Sequence, residues 1–201
     1  MNNIEVHIDF SCPFSYIGGE RMIQFLESKQ AELTKVRFRS FQLNPQKDTT
    51  HTDFLQNMSK KFGLGTVKET KARYSGIVQA AASLGLHYDL DTIVDTNSIH
   101  AHMGLQYATI HNKQAQYFRK VMAGHFEQGK DFYQLAFIYQ VLTDLGLNAK
   151  DFEVKQEEMR QLVKEDISLA AKRRVQSVPT FYQEGIVLQG TGSFEEFETF
   201  M

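Results

Sequence analysis

Strand patterns occur only near the two ends of this 201-residue chain, and a long helical stretch lies between them. Near the N-terminus, Ile4, Val6 and Ile8 alternate with polar residues, which is typical of a half-buried strand. Near the C-terminus, two β-prone runs flank a turn at Gly185, which predicts a hairpin. The patterns predict strands over residues 4–10, 35–43, 180–182 and 186–188, and helices over residues 13–28 and 194–200. The order is therefore β-α-β, a helical block and β-β-α, which predicts an α/β fold.

The stretch from about residue 50 to residue 173 has no strand pattern. Glycine ends one helical segment after another, as in Leu84-Gly85-Leu86, and this fits helices that stop on a left-handed glycine followed by an apolar contact. Thr66 and Glu69 have the spacing of a capping box, which marks a helix start. We predict helices over residues 52–62, 66–84, 97–112, 114–128, 131–145 and 149–173. No linker rich in Pro, Gly or Ser sets this block apart, so it looks like an insertion.

The only cysteine, Cys12, lies where the first strand pattern stops and the first helix pattern begins. The N-terminus of a helix stabilises a thiolate, which is the reactive form of cysteine. Pro13 suits the first helical position, and the hydroxyl of Ser15 could donate a hydrogen bond to the sulfur. We therefore expect the pKa of Cys12 to fall below its free value of about 8.5, toward about 3.5–7.5. The alternative is an inert cysteine buried among apolar side chains.

Composition excludes several classes of function. One cysteine allows neither an intramolecular disulfide nor a cysteine-rich zinc site, and the two histidines His100 and His102 would make a poor metal pair on a helix, so we predict no metal site. The formal net charge is −2, which gives no electrostatic reason to expect nucleic acid or an anionic membrane as partner. No secretory signal or membrane-spanning run is visible, so we place the protein in the cytoplasm, where thiols stay reduced.

Four segments, in the same order along the chain, carry a resemblance to a known family. The sequence resembles the DsbA-like branch of the thioredoxin superfamily and looks most similar to its FrnE-like cytosolic dithiol-disulfide oxidoreductases and isomerases. Their sister group holds the kappa-class glutathione transferases and the 2-hydroxychromene-2-carboxylate isomerases. The matching segments are Asp9-Phe10-Ser11-Cys12-Pro13-Phe14-Ser15-Tyr16-Ile17-Gly18, Phe41-Gln42-Leu43-Asn44-Pro45, Asn97-Ser98-Ile99-His100-Ala101-His102 and Ser177-Val178-Pro179-Thr180-Phe181.

The resemblance implies a thioredoxin-like fold with an all-helical insertion. Residues 1–48 and 174–201 would then form a discontinuous thioredoxin-like domain. Residues 49–173 would form the insertion, whose last helix, over about 149–173, packs on the thioredoxin-like sheet. The insertion could also offer a face for a homodimer, which leaves the oligomeric state open.

The resemblance also implies where a thiol ligand binds. A cis bond between Val178 and Pro179 would place the backbone of Val178 beside the sulfur of Cys12, where it could pair with an extended thiol peptide such as glutathione. Gly192 and Ser193, at the start of the last helix, would hold the γ-glutamyl carboxylate or would form an ordinary helix cap.

Four further residues are open to a binding or a structural interpretation. Phe14, next to the thiol, is assigned to the binding surface. Asn44 binds a ligand or, as we slightly prefer, caps a turn. His102 lines the cleft over Cys12 or is satisfied within a helix interface. Asp9 relays protons or, as we prefer, is tied to the backbone at the helix start, where its charge would oppose thiolate formation.

Ser15 departs from the FrnE-like pattern, Cys-Pro-x-Cys, because it occupies the position of the resolving cysteine. A lone thiolate can form a mixed disulfide, but a second thiol must then release the partner. We therefore predict a disulfide oxidoreductase or isomerase in which Cys12 acts on a thiol or disulfide substrate, protein or small molecule. It would hold no tightly bound cofactor and would use glutathione or another low-molecular-weight thiol as co-substrate. The alternatives are a glutathione-dependent isomerase or transferase of the kappa class, and a non-catalytic thioredoxin-like binding module.

Overall fold

The computed structural model describes residues 4–47, 50 and 52–200. Its strands are β1 (Ile4–Ile8), β2 (Val36–Ser40), β3 (Thr52–Asp53), β4 (Val94–Asp95), β5 (Thr180–Gln183) and β6 (Ile186–Gln189). The main sheet has four strands in the order β2-β1-β5-β6. Strand β1 runs parallel to β2 and antiparallel to β5. The two ends of the chain therefore share one sheet, and the predicted α/β fold class is confirmed.

Helices surround this sheet and form the stretch between its two halves. They are α1 (Pro13–Ser28), α2 (Phe54–Phe62), α3 (Val67–Ala82), α4 (Ile99–Ile110), α5 (Gln114–Gln128), α6 (Leu135–Asp144), α7 (Ala149–Val154), α8 (Gln156–Lys172) and α9 (Phe194–Phe200). Helices α4, α5 and α8 pack against β2, whereas α1 packs against α5 and α9. Helix α8, the last long helix of the block, thus lies against β2 of the sheet.

Two predicted helices differ from the observed ones by more than two residues at an end or by a break. The helix predicted over residues 149–173 is broken at Lys155, whose φ of −93° and ψ of 9° end α7 and begin α8. The helix predicted over residues 131–145 begins only at Leu135. Its first residues form a turn instead, because the Asp131 carboxylate accepts the backbone N–H of Tyr133 at 2.9 Å. A side chain that bonds to nearby backbone competes with the helical hydrogen bonds in this way.

The prediction that the helical block holds no strand is wrong at two short places. Strands β3 and β4 pair in an antiparallel register that places Thr52 opposite Asp95. The hydroxyl of Thr52 also donates to the Asp95 carbonyl at 2.8 Å. Two-residue strands leave no alternating pattern to read, so only the tertiary pairing reveals them.

Gly18 and Gly19 in α1 are sites where other parts of the chain approach the helix backbone closely. A Cβ at Gly18 would lie 2.6 Å from Cγ of Pro179, and one at Gly19 would lie 2.3 Å from the ring of Phe118. The first contact brings the C-terminal segment directly against α1. The second lets an aromatic ring of α5 pack on the helix backbone, beside the ring of Phe38 at a centroid distance of 4.4 Å.

The division into a discontinuous domain and an insertion stays a prediction. Its junction at residues 48 and 49, and the chain ends at residues 1–3 and 201, lie outside the described residues. Among the helices of the described part, none is both long enough and apolar enough to cross a membrane.

Candidate active site

Cys12 joins the two ends of the chain. It is the N-cap of α1, with extended backbone angles, and Pro13 follows as the first helical residue. The N–H of Cys12 donates to the carbonyl of Asp9 at 3.0 Å, which turns the chain sharply from β1 into the helix. Its thiol donates to the carbonyl of Val178 at 3.5 Å, across 166 positions of sequence. The peptide bond between Val178 and Pro179 is cis.

The expectation of a lowered pKa for Cys12 is wrong. Burial of the sulfur raises the pKa of the thiol to about 11, although hydrogen bonds from the N–H and hydroxyl of Ser15 and from the N–H of Phe14 favour the thiolate. The negative charge of Asp9 raises it further, as the sequence predicted. The side chain is only 6% exposed, so the loss of thiolate solvation outweighs the donors at the helix N-terminus.

Asp9 is tied to backbone groups, which is the interpretation that the sequence favoured. Its carboxylate accepts the N–H of Ser11 at 3.1 Å and that of Leu43 at 2.7 Å. Burial alone would raise the pKa of Asp9, but the nearby His102 ring and these N–H donors lower it. The carboxylate therefore fixes the loop between β1 and α1, and it keeps a negative charge near the sulfur of Cys12.

His102 does not line the cleft over the thiol. Its side chain is fully buried on α4, with Nε2 at 3.5 Å from Oδ1 of Asp9 and its ring packed on that of Phe10. Neither ring nitrogen has a hydrogen-bond partner among the described residues. The other sequence interpretation, a satisfied interface histidine, therefore describes its burial correctly but not its hydrogen bonding.

Ser15 also lies behind the reactive surface. It is fully buried, and its Oγ accepts the backbone N–H of Asp9 at 3.2 Å. Because the same hydroxyl approaches the sulfur, Ser15 links the strand end to the thiol.

The first turn of α1 is also bound to the helical block. The carbonyl of Pro13 accepts a hydrogen bond from the hydroxyl of Tyr88 at 2.7 Å, which anchors this turn.

A cavity of about 670 Å³ opens over Cys12. The residues on its wall that the sequence singled out are Asp9, Cys12, Pro13, Phe14 and Asn44. The remaining wall comes mainly from the helical block and comprises Ser11, Leu43, Gln46, Lys47, Thr52, Phe54, Asn57, Met58, Lys61, Phe62, Tyr74, Asp95, Thr96 and Ser98. The thiol therefore faces a concavity that the block and the thioredoxin-like part build together.

The sequence pattern of α2 contained a signal for this wall that we did not use. Phe54, Met58, Lys61 and Phe62 recur at helical spacing, so they share one face of the helix. Such a stripe ordinarily faces the core. Here Phe62 is 40% exposed and lines the cavity, so the face belongs to the site. Tyr74 of α3 lies edge-on to Phe54, at a centroid distance of 5.4 Å, and continues the aromatic wall.

Polar contacts hold the rim of the cavity in place. Lys47 forms an ion pair with Asp95, and the amide of Asn57 donates to the same carboxylate at 2.6 Å. The amide of Asn97 donates to the carbonyl of Lys47 at 3.0 Å. Asn97 therefore positions the loop after β2 and does not bind in the cleft itself.

Gly192 and Ser193 are not part of this cavity wall. The Ser193 hydroxyl accepts the N–H of Glu196 at 3.1 Å, which is the helix-cap alternative that the sequence left open. The carbonyl of Gly192 accepts the guanidinium of Arg21. Glu195 and Glu196 occupy the first turn of α9 and complement its positive end.

The fold and the site together define a thioredoxin-like protein with a helix-capping cysteine that faces a cis-proline segment. The family model of the DSBA-like thioredoxin domain matches residues 3–201, so the chain belongs to this family. No curated protein matches the chain in sequence.

Solved structures share the fold over nearly the whole chain. A protein described as a probable DsbA oxidoreductase from Streptomyces coelicolor has a TM-score of 0.86 and 20% identity, covering 99% of this chain and 88% of that one. 2-Hydroxychromene-2-carboxylate isomerase has a TM-score of 0.72 and 17% identity, covering 98% and 92%. The cytosolic disulfide reductase DsbM from Pseudomonas aeruginosa, solved with GSH, has a TM-score of 0.62 and 15% identity, covering 94% and 88%. At these identities the likeness concerns the fold.

Proposed function

We propose that the protein catalyses thiol–disulfide exchange at Cys12 and that an external thiol completes each cycle. The position of the sulfur carries the proposal. It lies at the N-terminus of α1, on the wall of a cavity, and 3.5 Å from the carbonyl of Val178. The neighbouring Ser15 and Phe14 groups favour its thiolate and lower the pKa of Cys12, so they offset part of the cost of burial.

The proposed cycle has two balanced steps. The Cys12 thiolate attacks one sulfur of a substrate disulfide, forms a mixed disulfide and expels the other sulfur as a thiolate, which takes up a proton. An external thiol then loses its proton and attacks the mixed disulfide, so that Cys12 leaves and is reprotonated. Ser15 cannot replace this external thiol, because a hydroxyl forms no disulfide.

The raised pKa favours the reductive direction. Proteins that oxidise thiols stabilise the reduced form of their active-site cysteine, usually as a thiolate. Here burial disfavours the thiolate. A mixed disulfide of Cys12 carries no charge on the sulfur, so burial favours it over the free thiolate. The protein would therefore react with an oxidised substrate more readily than it would oxidise a reduced one.

Glutathione or another low-molecular-weight thiol is the external thiol that we propose. The similarity in fold to DsbM, a cytosolic reductase solved with GSH, supports both this thiol and a cytoplasmic location. The substrate is then a disulfide, of a protein or of a small molecule. A homodimer formed through the helical block stays a prediction, which sedimentation velocity checks.

The test is the reaction of the reduced protein with glutathione disulfide, followed by intact mass. We expect an adduct of one glutathione per chain at alkaline pH, its removal by added thiol, and no adduct on the Cys12→Ser variant. The absence of an adduct up to pH 11 would refute the exchange and leave the non-catalytic binding module.

A second candidate function is a glutathione-dependent isomerase or transferase. The aromatic wall over the thiol, formed by Phe14, Phe54, Phe62 and Tyr74, favours it because such a wall suits an aromatic electrophile. The test is turnover of 1-chloro-2,4-dinitrobenzene with glutathione. Turnover that Cys12→Ser retains would support this function, whereas the absence of turnover in the wild type would count against it.

A further inference from the structure

The carboxylates on the cavity wall are already engaged. Asp9 accepts two backbone N–H groups and lies beside His102. Asp95 is paired with Lys47 and accepts the amide of Asn57. Both carboxylates already have partners within the protein, so neither offers a free acceptor to a ligand.

Within the buried part of the described wall, a hydroxyl without a hydrogen-bond partner lies at Thr96. The residue is 2% exposed, it lines the cavity, and its hydroxyl has no partner among the described residues. A buried hydroxyl without a partner is costly, and its presence calls for an explanation. A ligand atom in the cavity that accepts a hydrogen bond from Thr96 supplies one.

Thr96 leads directly into α4, whose N-terminus faces the same cavity. Its N-cap, Ser98, lines the wall, makes no side-chain cap hydrogen bond, and receives only a long contact of 3.5 Å from the amide of Gln42. The first turn of this 12-residue helix has no acidic residue. The Ile99 N–H of this helix end donates to Oδ1 of Asn97 at 3.0 Å. The partial positive charge of the helix end, the unpartnered Thr96 hydroxyl and the weakly bonded Ser98 hydroxyl meet at one place, and this combination favours an anion.

Lys61 supplies a formal positive charge at the rim. It lines the cavity, and no carboxylate lies within ion-pairing distance of its ammonium group among the described residues. The ammonium lies 5.8 Å from the centroid of the Phe62 ring, so a charged group and an aromatic surface are adjacent.

We propose that the substrate of the exchange reaction is a small disulfide that carries both a carboxylate and an apolar, preferably aromatic, body. The carboxylate accepts hydrogen bonds from Thr96 and Ser98 and is attracted by Lys61. The body packs against Phe54 and Phe62, and one of its sulfurs reaches Cys12. This assignment rests on the proposed exchange function and narrows its substrate class to small anionic molecules.

The reaction balances as before. The Cys12 thiolate forms a bond to one sulfur of the small disulfide, and the other sulfur leaves as the free aryl or alkyl thiolate. A probe of the proposed class, 5,5′-dithiobis(2-nitrobenzoate), releases a coloured thiolate in this step. The neutral aromatic disulfide 4,4′-dithiodipyridine releases a chromophore too but carries no carboxylate.

The experiment measures the second-order rates of both probes with the reduced protein and divides each by its rate with N-acetylcysteine at the same pH. We expect the normalised ratio to favour the carboxylate probe. Thr96→Val, which keeps the shape and removes the hydroxyl, should lower that ratio about tenfold, since a hydrogen bond to a charged group is lost. Thr96→Ser, which keeps the hydroxyl, should stay within a factor of about two.

Lys61→Met should lower the ratio severalfold at low salt and less at 1 M salt, because screening already weakens an exposed charge. Lys60→Met is the matched control: Lys60 is the neighbouring exposed lysine of α2, does not line the cavity, and should leave the ratio unchanged. Thr96→Val should also raise the Tm of the free protein by a few degrees, since it removes an unpartnered buried hydroxyl.

Equal normalised rates for the two probes, or a ratio that Thr96→Val leaves unchanged, would overturn the carboxylate site while the exchange function stands. If neither probe forms an adduct, the exchange function fails, and binding to the Cys12→Ser variant decides the site separately. In that case 4-methylbenzoate should bind more tightly than 4-methylbenzamide, and Thr96→Val should abolish the difference. Equal binding of the two would overturn the site.

Discussion

Replacing Asp9 by Asn should lower the pKa of Cys12. The Asp9 charge is one of the causes that raise the pKa of the thiol to about 11, and both side chains lie on the same cavity wall. Two unit charges roughly 6–10 Å apart in a medium of effective dielectric about 20 interact by about 2–3 kcal/mol, which is about 1–2 pKa units. The thiolate fraction at pH 8 should therefore rise about 10- to 100-fold.

The gain in reaction rate is smaller than the gain in thiolate. A thiolate of lower pKa is a weaker nucleophile. For each tenfold gain in the thiolate fraction, its intrinsic rate constant falls by a factor of about 10 to the power 0.4–0.5. The rate of alkylation by iodoacetamide at pH 8 should thus rise about 4- to 15-fold. Because Cys12 is the only cysteine, the modified mass reports this sulfur alone. The full profile from pH 6 to pH 11.5 locates the pKa directly.

Asp91→Asn is the control, because Asp91 is an exposed carboxylate paired with Lys71 on the surface. Its profile should coincide with that of the wild type. An Asp9→Asn pKa equal to or above the wild-type value would show that the charge of Asp9 does not reach the sulfur, and the electrostatic account of Cys12 would be wrong. Asn keeps only one acceptor oxygen for the two N–H groups of this loop, so thermal unfolding must show that the variant is folded at the assay temperature.

Three further predictions concern the same region and the sheet below it. Ser15→Cys should create an internal disulfide on treatment with glutathione disulfide, seen by mass as the loss of two hydrogens, and a stable glutathione adduct in its place would contradict a resolving role for this position. Gly18→Ala should destabilise the protein by about 1–3 kcal/mol and slow the exchange reaction, because the new Cβ would lie 2.6 Å from the proline of the cis bond; Gly76→Ala, with open space around it, should be neutral or stabilising by denaturant unfolding. Burial alone would raise the pKa of Glu5, but hydrogen bonds from two arginines lower this pKa to about 2. The ionised Glu5 side chain therefore stabilises the fold above pH 4.5, and this contribution to the free energy of unfolding is lost as the pH falls toward 2. Because Glu5 is partly exposed, solvent screening reduces this contribution to about 1–2 kcal/mol. The free energy of unfolding of Glu5→Gln should therefore fall less steeply than that of the wild type between pH 4.5 and pH 2.

Much of the fold could be predicted from local patterns. The alternation over β1, the hairpin of β5 and β6 and most helix positions follow from the spacing of apolar residues and from caps, because these depend on neighbours in sequence. The same holds for the capping box of Thr66 and Glu69, in which both reciprocal hydrogen bonds form. The break at Lys155 and the late start of α6 were missed because turns inside a helical pattern carry a weak local signal.

The candidate site was predictable only in part. Cys12, Pro13, Phe14 and Asn44 line the cavity, and they all lie near the ends of strands that the pattern had located. The opposite wall was missed, since the apolar face of α2 has the spacing of an ordinary core stripe. Nothing in the sequence distinguishes a stripe that meets another helix from one that faces a cavity.

The sequence by itself determined that this chain has one thiol at the start of its first helix and a hydroxyl where a resolving thiol would be. An internal disulfide is therefore impossible whatever the fold. Only the tertiary structure decided the sign of the pKa shift at Cys12 and the unsatisfied state of Thr96. Both depend on how completely water is excluded and on which groups from distant parts of the chain replace it, and the linear order of residues does not contain that information.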